Sequence, residues 1–236
     1  MTDVRGPKAG PLTAVFRRSE PPPSHRGRPR VVALDSGART SPDPAWAEHV
    51  RLHQAFLGRV IDYLCADAGI RQFVDWGCPV PGTAERVRRV APEATVVHVA
   101  PQGAAGLLTS PEHAAVLSGD GSESEALLRR LHTSGLVDFD EPVGVLMTRT
   151  FGADCPPSGL EDLRGLMRGG GHLALTSTAP RAEVERAFAP FSLLEPGVAD
   201  LTWWPYPDED VAASGCGILA GLGRVPVRRG GAGRWR

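Results

Sequence analysis

The stretch Ile70-Arg71-Gln72-Phe73-Val74-Asp75-Trp76-Gly77-Cys78-Pro79-Val80-Pro81-Gly82 decides how the rest of the chain is interpreted. It begins with a short apolar run, breaks at a glycine and two prolines, and continues into a helical pattern over residues 83–90. This order predicts a strand, a loop and a helix. In open α/β sheets, ligands bind beyond the carboxyl end of such a strand, where the next helix presents its N-terminal amides. The first candidate site is therefore Asp75 to Gly82.

The composition of the chain narrows the possible functions. Its 236 residues carry a net charge of −1, and 42% of them are hydrophobic. This length suits one domain of about 150–200 residues with irregular ends. The small net charge argues against a general nucleic-acid binder, and the hydrophobic content argues against a disordered chain. No apolar run approaches the roughly 18 residues of a membrane span, and the N-terminus lacks the apolar region of a signal peptide. We therefore expect a cytoplasmic protein without a membrane segment.

The cysteines give no indication of a metal site. They are Cys65, Cys78, Cys155 and Cys216, and they lie far apart in the sequence. Without a C-x-x-C pair or a histidine at ligand spacing, neither zinc nor a disulfide framework is predicted. Free thiols are the rule in a reducing cytoplasm. We expect four free cysteines and no metal.

Both ends of the chain lack a periodic apolar face. Residues 1–43 contain three consecutive prolines and an arginine-rich patch, which predicts a flexible N-terminal arm. This arm could contact an acidic partner or nucleic acid, or it could remain a solvated tail. Residues 226–236 are rich in arginine and glycine, which predicts a disordered basic tail. The folded domain is expected over residues 44–225.

Helical and strand patterns alternate between these two ends. Apolar residues at spacings of three, four and seven predict a long amphipathic helix over residues 45–66. Further helices are predicted at residues 83–90, 122–131, 158–167 and 181–188. The helices at 122–131 and 158–167 each begin with a Ser-x-x-Glu capping box. Strands are predicted at residues 73–76, 94–99, 116–117, 142–147, 173–177, 191–195, 201–204 and 216–222. This alternation predicts an α/β fold, a mostly parallel sheet with helices on both faces.

Four stretches resemble the actinobacterial S-adenosylmethionine-dependent methyltransferase family known as DUF574. They are His49-Val50-Arg51-Leu52-His53-Gln54-Ala55-Phe56-Leu57, Ala68-Gly69-Ile70-Arg71-Gln72-Phe73, Val137-Asp138-Phe139-Asp140-Glu141-Pro142-Val143 and Leu194-Glu195-Pro196-Gly197. The resemblance extends over residues 49–225. It implies a Rossmann-like class I methyltransferase fold and S-adenosyl-L-methionine as cofactor.

The motifs that would bind this cofactor depart from the family pattern. The family's first loop has the form Asp-Ile-Gly-Ser-Gly, and here Pro79 replaces the second glycine and removes an amide donor. After the second strand the family carries an acid that can bind ribose hydroxyls. This chain has Ala100 there, with Gln102 as a neutral and weaker replacement. Asp120 is kept after the third strand, where the resemblance implies that it can face the adenine.

The candidate cofactor-binding residues lie at the ends of four predicted strands. They are Asp75, Gly77, Cys78, Ala100, Gln102, Asp120 and Thr148. We expect their loops to converge on one cleft at the carboxyl edge of the sheet. No catalytic residue is assigned, because methyl transfer from a sulfonium can proceed through alignment and desolvation without a general base.

Two functions remain open from the sequence. The chain is either an active methyltransferase with a small-molecule substrate or an inactive methyltransferase-like module that binds or regulates a protein partner. A nicotinamide dehydrogenase ranks third, because Gly77 stands in no G-x-G-x-x-G motif. His98 could act as a base or be structural, and Trp203 and Trp204 could line a substrate pocket or pack at the sheet edge. The methyl acceptor and the oligomeric state are not determined.

Overall fold

The computed structural model of the chain describes residues 44–77, 82–100, 114–118, 124–152, 157–205 and 215–225. The predicted N-terminal arm and basic tail lie outside these ranges, so both remain predictions. None of the described helices combines the length and apolar character that a membrane crossing requires.

The described strands form one sheet. They are β1 (Gln72–Trp76), β2 (Thr95–Ala100), β3 (Ala114–Ser118), β4 (Val143–Phe151), β5 (Gly171–Ser177), β6 (Ser192–Leu193), β7 (Ala199–Asp200) and β8 (Leu219–Val225). Their spatial order is β3-β2-β1-β4-β5-β8-β6, and β7 also pairs with β8. Strands β1 to β5 run parallel, whereas β8 is antiparallel to β5, β6 and β7. The prediction of a mostly parallel sheet is confirmed.

Helices cover both faces of this sheet, as predicted. They are α1 (Pro44–Ala66), α2 (Thr83–Val90), α3 (Ser124–Ser134), α4 (Leu160–Leu166) and α5 (Arg181–Ala187). The buried side chains of α1 and α2 cluster with Phe73, Val96, Leu146 and Ala174 of the strands. Those of α3, α4 and α5 cluster instead with Val74, Val97, Val145 and Leu173. Because successive residues of a strand point to opposite faces, the two clusters are the two sides of the sheet.

The predicted strand at residues 201–204 is wrong. Its apolar residues are buried, with Leu201 fully covered and Trp204 2% exposed, but the backbone forms a turn. The carboxylate of Asp200 accepts hydrogen bonds from the backbone N–H of Thr202 at 3.0 Å and from its hydroxyl at 2.6 Å. A side chain that bonds to the backbone two residues on favours a turn over a strand.

The helix that the Ser158 and Glu161 pattern predicts is present, but its start differs. Helix α4 begins one residue later than that box requires, with Gly159 as its N-cap and no hydrogen bond from a capping side chain. Gly159 has φ 74°, a left-handed conformation that glycine adopts without the steric cost paid by other residues. The backbone conformation of this glycine therefore determines where the helix starts.

Candidate cofactor site

The centre of the sheet contains a topological switch point. Strands β1 and β4 are neighbours, although β2 and β3 lie between them in sequence. From β1 the chain moves outward through β2 and β3 and then returns to β4, so the connections leave the two central strands in opposite directions. Open α/β sheets bind ligands beyond the carboxyl ends of the strands at such a point. Asp75, Gly77 and Thr148 stand there.

Asp75 is the penultimate residue of β1, and its side chain is 1% exposed. It lies on the α1/α2 face, two residues after Phe73. Its Oδ2 atom is 3.2 Å from Nδ1 of His98, which is its register partner on β2. Its Oδ1 atom has no hydrogen-bond partner among the described residues. A buried carboxylate oxygen without a donor is costly, which makes Oδ1 a favourable position for a ligand's donor group.

Gly77 turns the chain out of β1. Its N–H donates to the carbonyl oxygen of Val99 at 2.8 Å, which extends the pairing of β1 with β2 by one residue. Its φ of 93° lies in the left-handed region, where a side chain would be strained. Glycine therefore allows the loop to leave the strand and leaves the backbone bare at the edge of the site.

Thr148 occupies the corresponding edge of β4. Its side chain is 1% exposed, and its Oγ1 atom has no partner in the described part of the chain. Its carbonyl oxygen accepts a hydrogen bond from Oγ1 of Thr176 on β5 at 3.1 Å. The pairing of β4 with β5 shifts register between Met147 and Phe151, and such bulges are common beside active sites because they redirect side chains.

Thr83 supplies a further buried hydroxyl, which is not among the site residues predicted from the sequence. It is the first residue of α2 and is 3% exposed, and its Oγ1 atom lacks a partner within the described ranges. Gly82 precedes it as N-cap, with φ 95° and no side chain to cap the helix. The first N–H groups of a helix are favourable for negative or electron-rich ligand atoms. The only sequence signal for Thr83 is its position directly after Gly82.

A histidine of α1 reaches the same face of the sheet. His53 is fully buried, with Nδ1 2.9 Å from the carbonyl oxygen of His49 and Nε2 3.5 Å from Oγ1 of Thr176. Because a carbonyl only accepts, Nδ1 carries the proton. Burial lowers the pKa of His53, and this outweighs the hydrogen bond to His49, so the ring is neutral near pH 7. No sequence motif predicts a role for His53.

The remaining candidate residues fall into two groups. Ala100 ends β2 next to Ser118 of β3, on the edge that also holds Gly77 and Thr148. Cys78, Gln102 and Asp120 lie outside the described residues, so their predicted roles are untested. Among the described residues, no group of three or more histidine, cysteine or acidic side chains is placed to hold a metal ion.

The two tryptophans of the turn after β7 differ in burial. Trp204 is 2% exposed and packs edge-on against Phe56, with ring centroids 5.5 Å apart. Trp203 is 38% exposed. Asp200 pairs with Leu219, which pairs with the last residue of β5, so this turn lies at the carboxyl edge of the sheet. Arg59 of α1 holds the turn through hydrogen bonds to the carbonyl oxygens of Leu201 and Trp204, at 3.0 and 2.6 Å.

Comparison with known proteins identifies the family. A family described as S-adenosyl methyltransferase matches residues 33–179. A candidate methyltransferase from Thermobifida fusca is 26% identical, with a TM-score of 0.62 over 78% of this chain and 84% of that one. A DUF574 family protein from Streptomyces avermitilis is 22% identical and shares the fold, with a TM-score of 0.56 over 77% and 88%. A search of curated proteins gave no significant match. The chain therefore belongs to the S-adenosyl methyltransferase family, whose cofactor is S-adenosyl-L-methionine, and has its Rossmann-like fold.

Proposed function

We propose that this protein is an active S-adenosylmethionine-dependent methyltransferase that acts on a small molecule. One observation carries the proposal: Asp75 Oδ1 and Thr148 Oγ1 are buried without partners in the described structure, on adjacent strands at the switch point. Replacing such unpaired polar atoms by apolar groups of the same shape typically leaves the folding stability unchanged or raises it. These two polar atoms therefore do not stabilise the fold of a chain that binds no ligand. A bound ligand that forms hydrogen bonds with both atoms would satisfy them.

The chemistry of these residues fits the cofactor. S-adenosyl-L-methionine carries an ammonium group, ribose hydroxyls and an adenine amino group, all of which donate hydrogen bonds. The Asp75 carboxylate is an acceptor, the Thr148 hydroxyl both donates and accepts, and Gly77 leaves its backbone open to close approach. When bound, the cofactor supplies an electrophilic methyl group on a sulfonium.

The residues of this chain would contribute by binding the cofactor and excluding water. Methyl transfer requires the acceptor atom in line with the methyl group in a dry site. Thr148 and Asp75 lie at the top of a buried face, above Leu146 and Phe73, which are 0% and 1% exposed. The exposed indole of Trp203 at the same edge offers an apolar surface for the acceptor. This arrangement supports a small organic acceptor.

Calorimetric titration with S-adenosylhomocysteine tests cofactor binding. We expect saturable binding by the unaltered protein and binding at least tenfold weaker by Asp75→Asn, because hydrogen bonds to charged groups contribute about 1.5–3 kcal/mol. Asp67→Asn, at an exposed turn position directly after α1, is the matched control and should bind normally. Ala100→Asp, which adds the family's acid after β2, should tighten binding about tenfold or more. No heat from the unaltered protein at millimolar ligand would support the inactive module.

Methyl transfer itself requires a second assay. Tritiated S-adenosylmethionine is supplied with a mixture of small phenols, amines and thiols, or with protein. We expect label in the small-molecule fraction, whereas label found in protein alone would contradict the proposed acceptor class. We also propose an actinobacterial source and a cytoplasmic location, and the structural relatives from Thermobifida and Streptomyces support the first of these.

A further inference from the structure

His98 is a polar residue within an otherwise apolar strand. Its neighbours Val97 and Val99 on β2 are 3% and 1% exposed, and His98 itself is 6% exposed. Burying an imidazole costs free energy unless its nitrogens are hydrogen-bonded. Nδ1 of His98 lies 3.2 Å from Oδ2 of Asp75, and because a carboxylate oxygen only accepts, Nδ1 carries the hydrogen of this bond.

This bond leaves the two oxygens of Asp75 in different situations. Oδ2 is held by His98, which is the only donor to this carboxylate within the described residues, and Oδ1 has no partner there. A carboxylate held at one oxygen cannot rotate freely about its Cβ–Cγ bond, so the position of the second oxygen is fixed. Without this hydrogen bond the carboxylate could reorient, and Oδ1 would no longer be held in one position.

We propose that His98 is a positioning residue for cofactor binding, which orients Asp75 so that Oδ1 accepts a hydrogen bond from S-adenosyl-L-methionine. The inference rests on the proposed function. His98 itself does not contact the cofactor and acts only through Asp75. A merely structural role is the alternative, in which the pair ties β1 to β2 and has no effect on ligand affinity.

A double-mutant cycle on S-adenosylhomocysteine affinity separates these roles. We expect His98→Leu to weaken binding by about ten- to a hundredfold, the range for losing a charged hydrogen bond. In the Asp75→Asn background the same change should alter affinity by less than about twofold, because His98 then has no carboxylate to orient. Equal losses in both backgrounds, or normal affinity in folded His98→Leu, would overturn the inference.

Two amide variants keep the test decisive if His98→Leu fails to fold. The amide nitrogen of asparagine lies near the Nδ1 position of histidine, whereas that of glutamine lies near Nε2. His98→Asn should therefore bind within about threefold of the unaltered protein, and His98→Gln should lose about tenfold, with both melting temperatures measured. Equal affinities for the two variants would overturn the role of His98 but not the proposed function. Absence of any binding by the unaltered protein would overturn the proposed function as well.

Discussion

The two faces of the sheet differ in the polarity of their buried side chains. On the α1/α2 face, the strands β1, β2 and β5 bury Asp75, His98 and His172, and α1 buries His53 against them. The opposite face contains a continuous apolar cluster formed with α3, α4 and α5. Both faces therefore contribute a packed apolar cluster, but the α1/α2 face also carries the buried polar groups that are able to bind a ligand. Substitutions on the two faces should separate stability from affinity.

The largest expected effect is the removal of a packed leucine from the apolar face. Leu173 of β5 is fully buried in the cluster with α3, α4 and α5. Leu173→Ala should lower the free energy of unfolding in urea by about 2–5 kcal/mol, through lost transfer energy and a cavity. Affinity for S-adenosylhomocysteine should not change in the folded protein. Leu136→Ala, at an exposed position, is the control and should stay within about 0.5 kcal/mol. A loss below about 1 kcal/mol for Leu173→Ala would contradict the assignment of Leu173 to a tightly packed apolar cluster.

A decrease of intermediate size in the free energy of unfolding is expected at acidic pH, because of a buried histidine on the α1/α2 face. Burial, followed by the charge of Arg224, lowers the pKa of His172 to about 4 from an ordinary 6.5. Between pH 6.5 and 4, His172 is protonated in the unfolded chain but stays neutral in the folded chain. The contribution of His172 to the free energy of unfolding is therefore fully present above pH 6.5 and is lost as the pH falls toward 4. Between pH 7 and 5 the loss should be roughly 1–2 kcal/mol.

His172→Phe tests this origin of the acid sensitivity. Phenylalanine keeps a ring against Tyr63, which lies at a centroid distance of 6.0 Å in the unaltered protein. It removes both ring nitrogens, which have no hydrogen-bond partner among the described residues. Urea denaturation at pH 7 and pH 5 should show a smaller loss than in the unaltered protein. Some loss should persist, because burial also lowers the pKa of His53. If His172→Phe lost as much stability between pH 7 and pH 5 as the unaltered protein, His172 would not be the source of the acid sensitivity.

The smallest expected effect distinguishes two threonines on the α1/α2 face. Thr148→Val removes a hydroxyl without a described partner, so stability should be kept or slightly raised, while S-adenosylhomocysteine affinity falls about two- to tenfold. Thr176→Val removes the hydrogen bond to the carbonyl of Thr148 and should cost about 0.5–1.5 kcal/mol of stability. Thermal melting and calorimetry measure both quantities. Normal affinity in Thr148→Val would exclude its hydroxyl from the cofactor site.

Local sequence determined the helices better than the turns. The predicted bounds of α2 match the structure, and α1 begins only one residue earlier than predicted. Helix bounds are predictable because apolar periodicity depends on residues that are close together in the sequence. At residues 201–204 the apolar residues correctly indicated burial, but burial does not specify backbone conformation. The side chain of Asp200 specifies it, through bonds to Thr202 that apolar periodicity does not reveal.

The candidate site was only partly predictable for a related reason. Asp75 and Gly77 belong to one sequence motif, and Thr148 directly follows the strand predicted over residues 142–147, so all three could be named from the sequence. The bond between His98 and Asp75 depends on the register of β1 against β2, and the contact between His53 and Thr176 joins residues 123 positions apart. Neither register nor the packing of α1 on β5 can be derived from local patterns.

The position of β8 has a consequence for how the protein is made. This strand pairs with all seven residues of β5 on one side, and β6 and β7 pair with β8 in the described sheet. On the ribosome, the parallel strands can assemble before β8 exists, and β5 then has an open edge. Synthesis from residue 178 to residue 225 takes roughly 2–10 s at about 5–20 residues per second. During those seconds the exposed backbone of β5 can pair with another chain, so nascent copies on neighbouring ribosomes can associate at this edge.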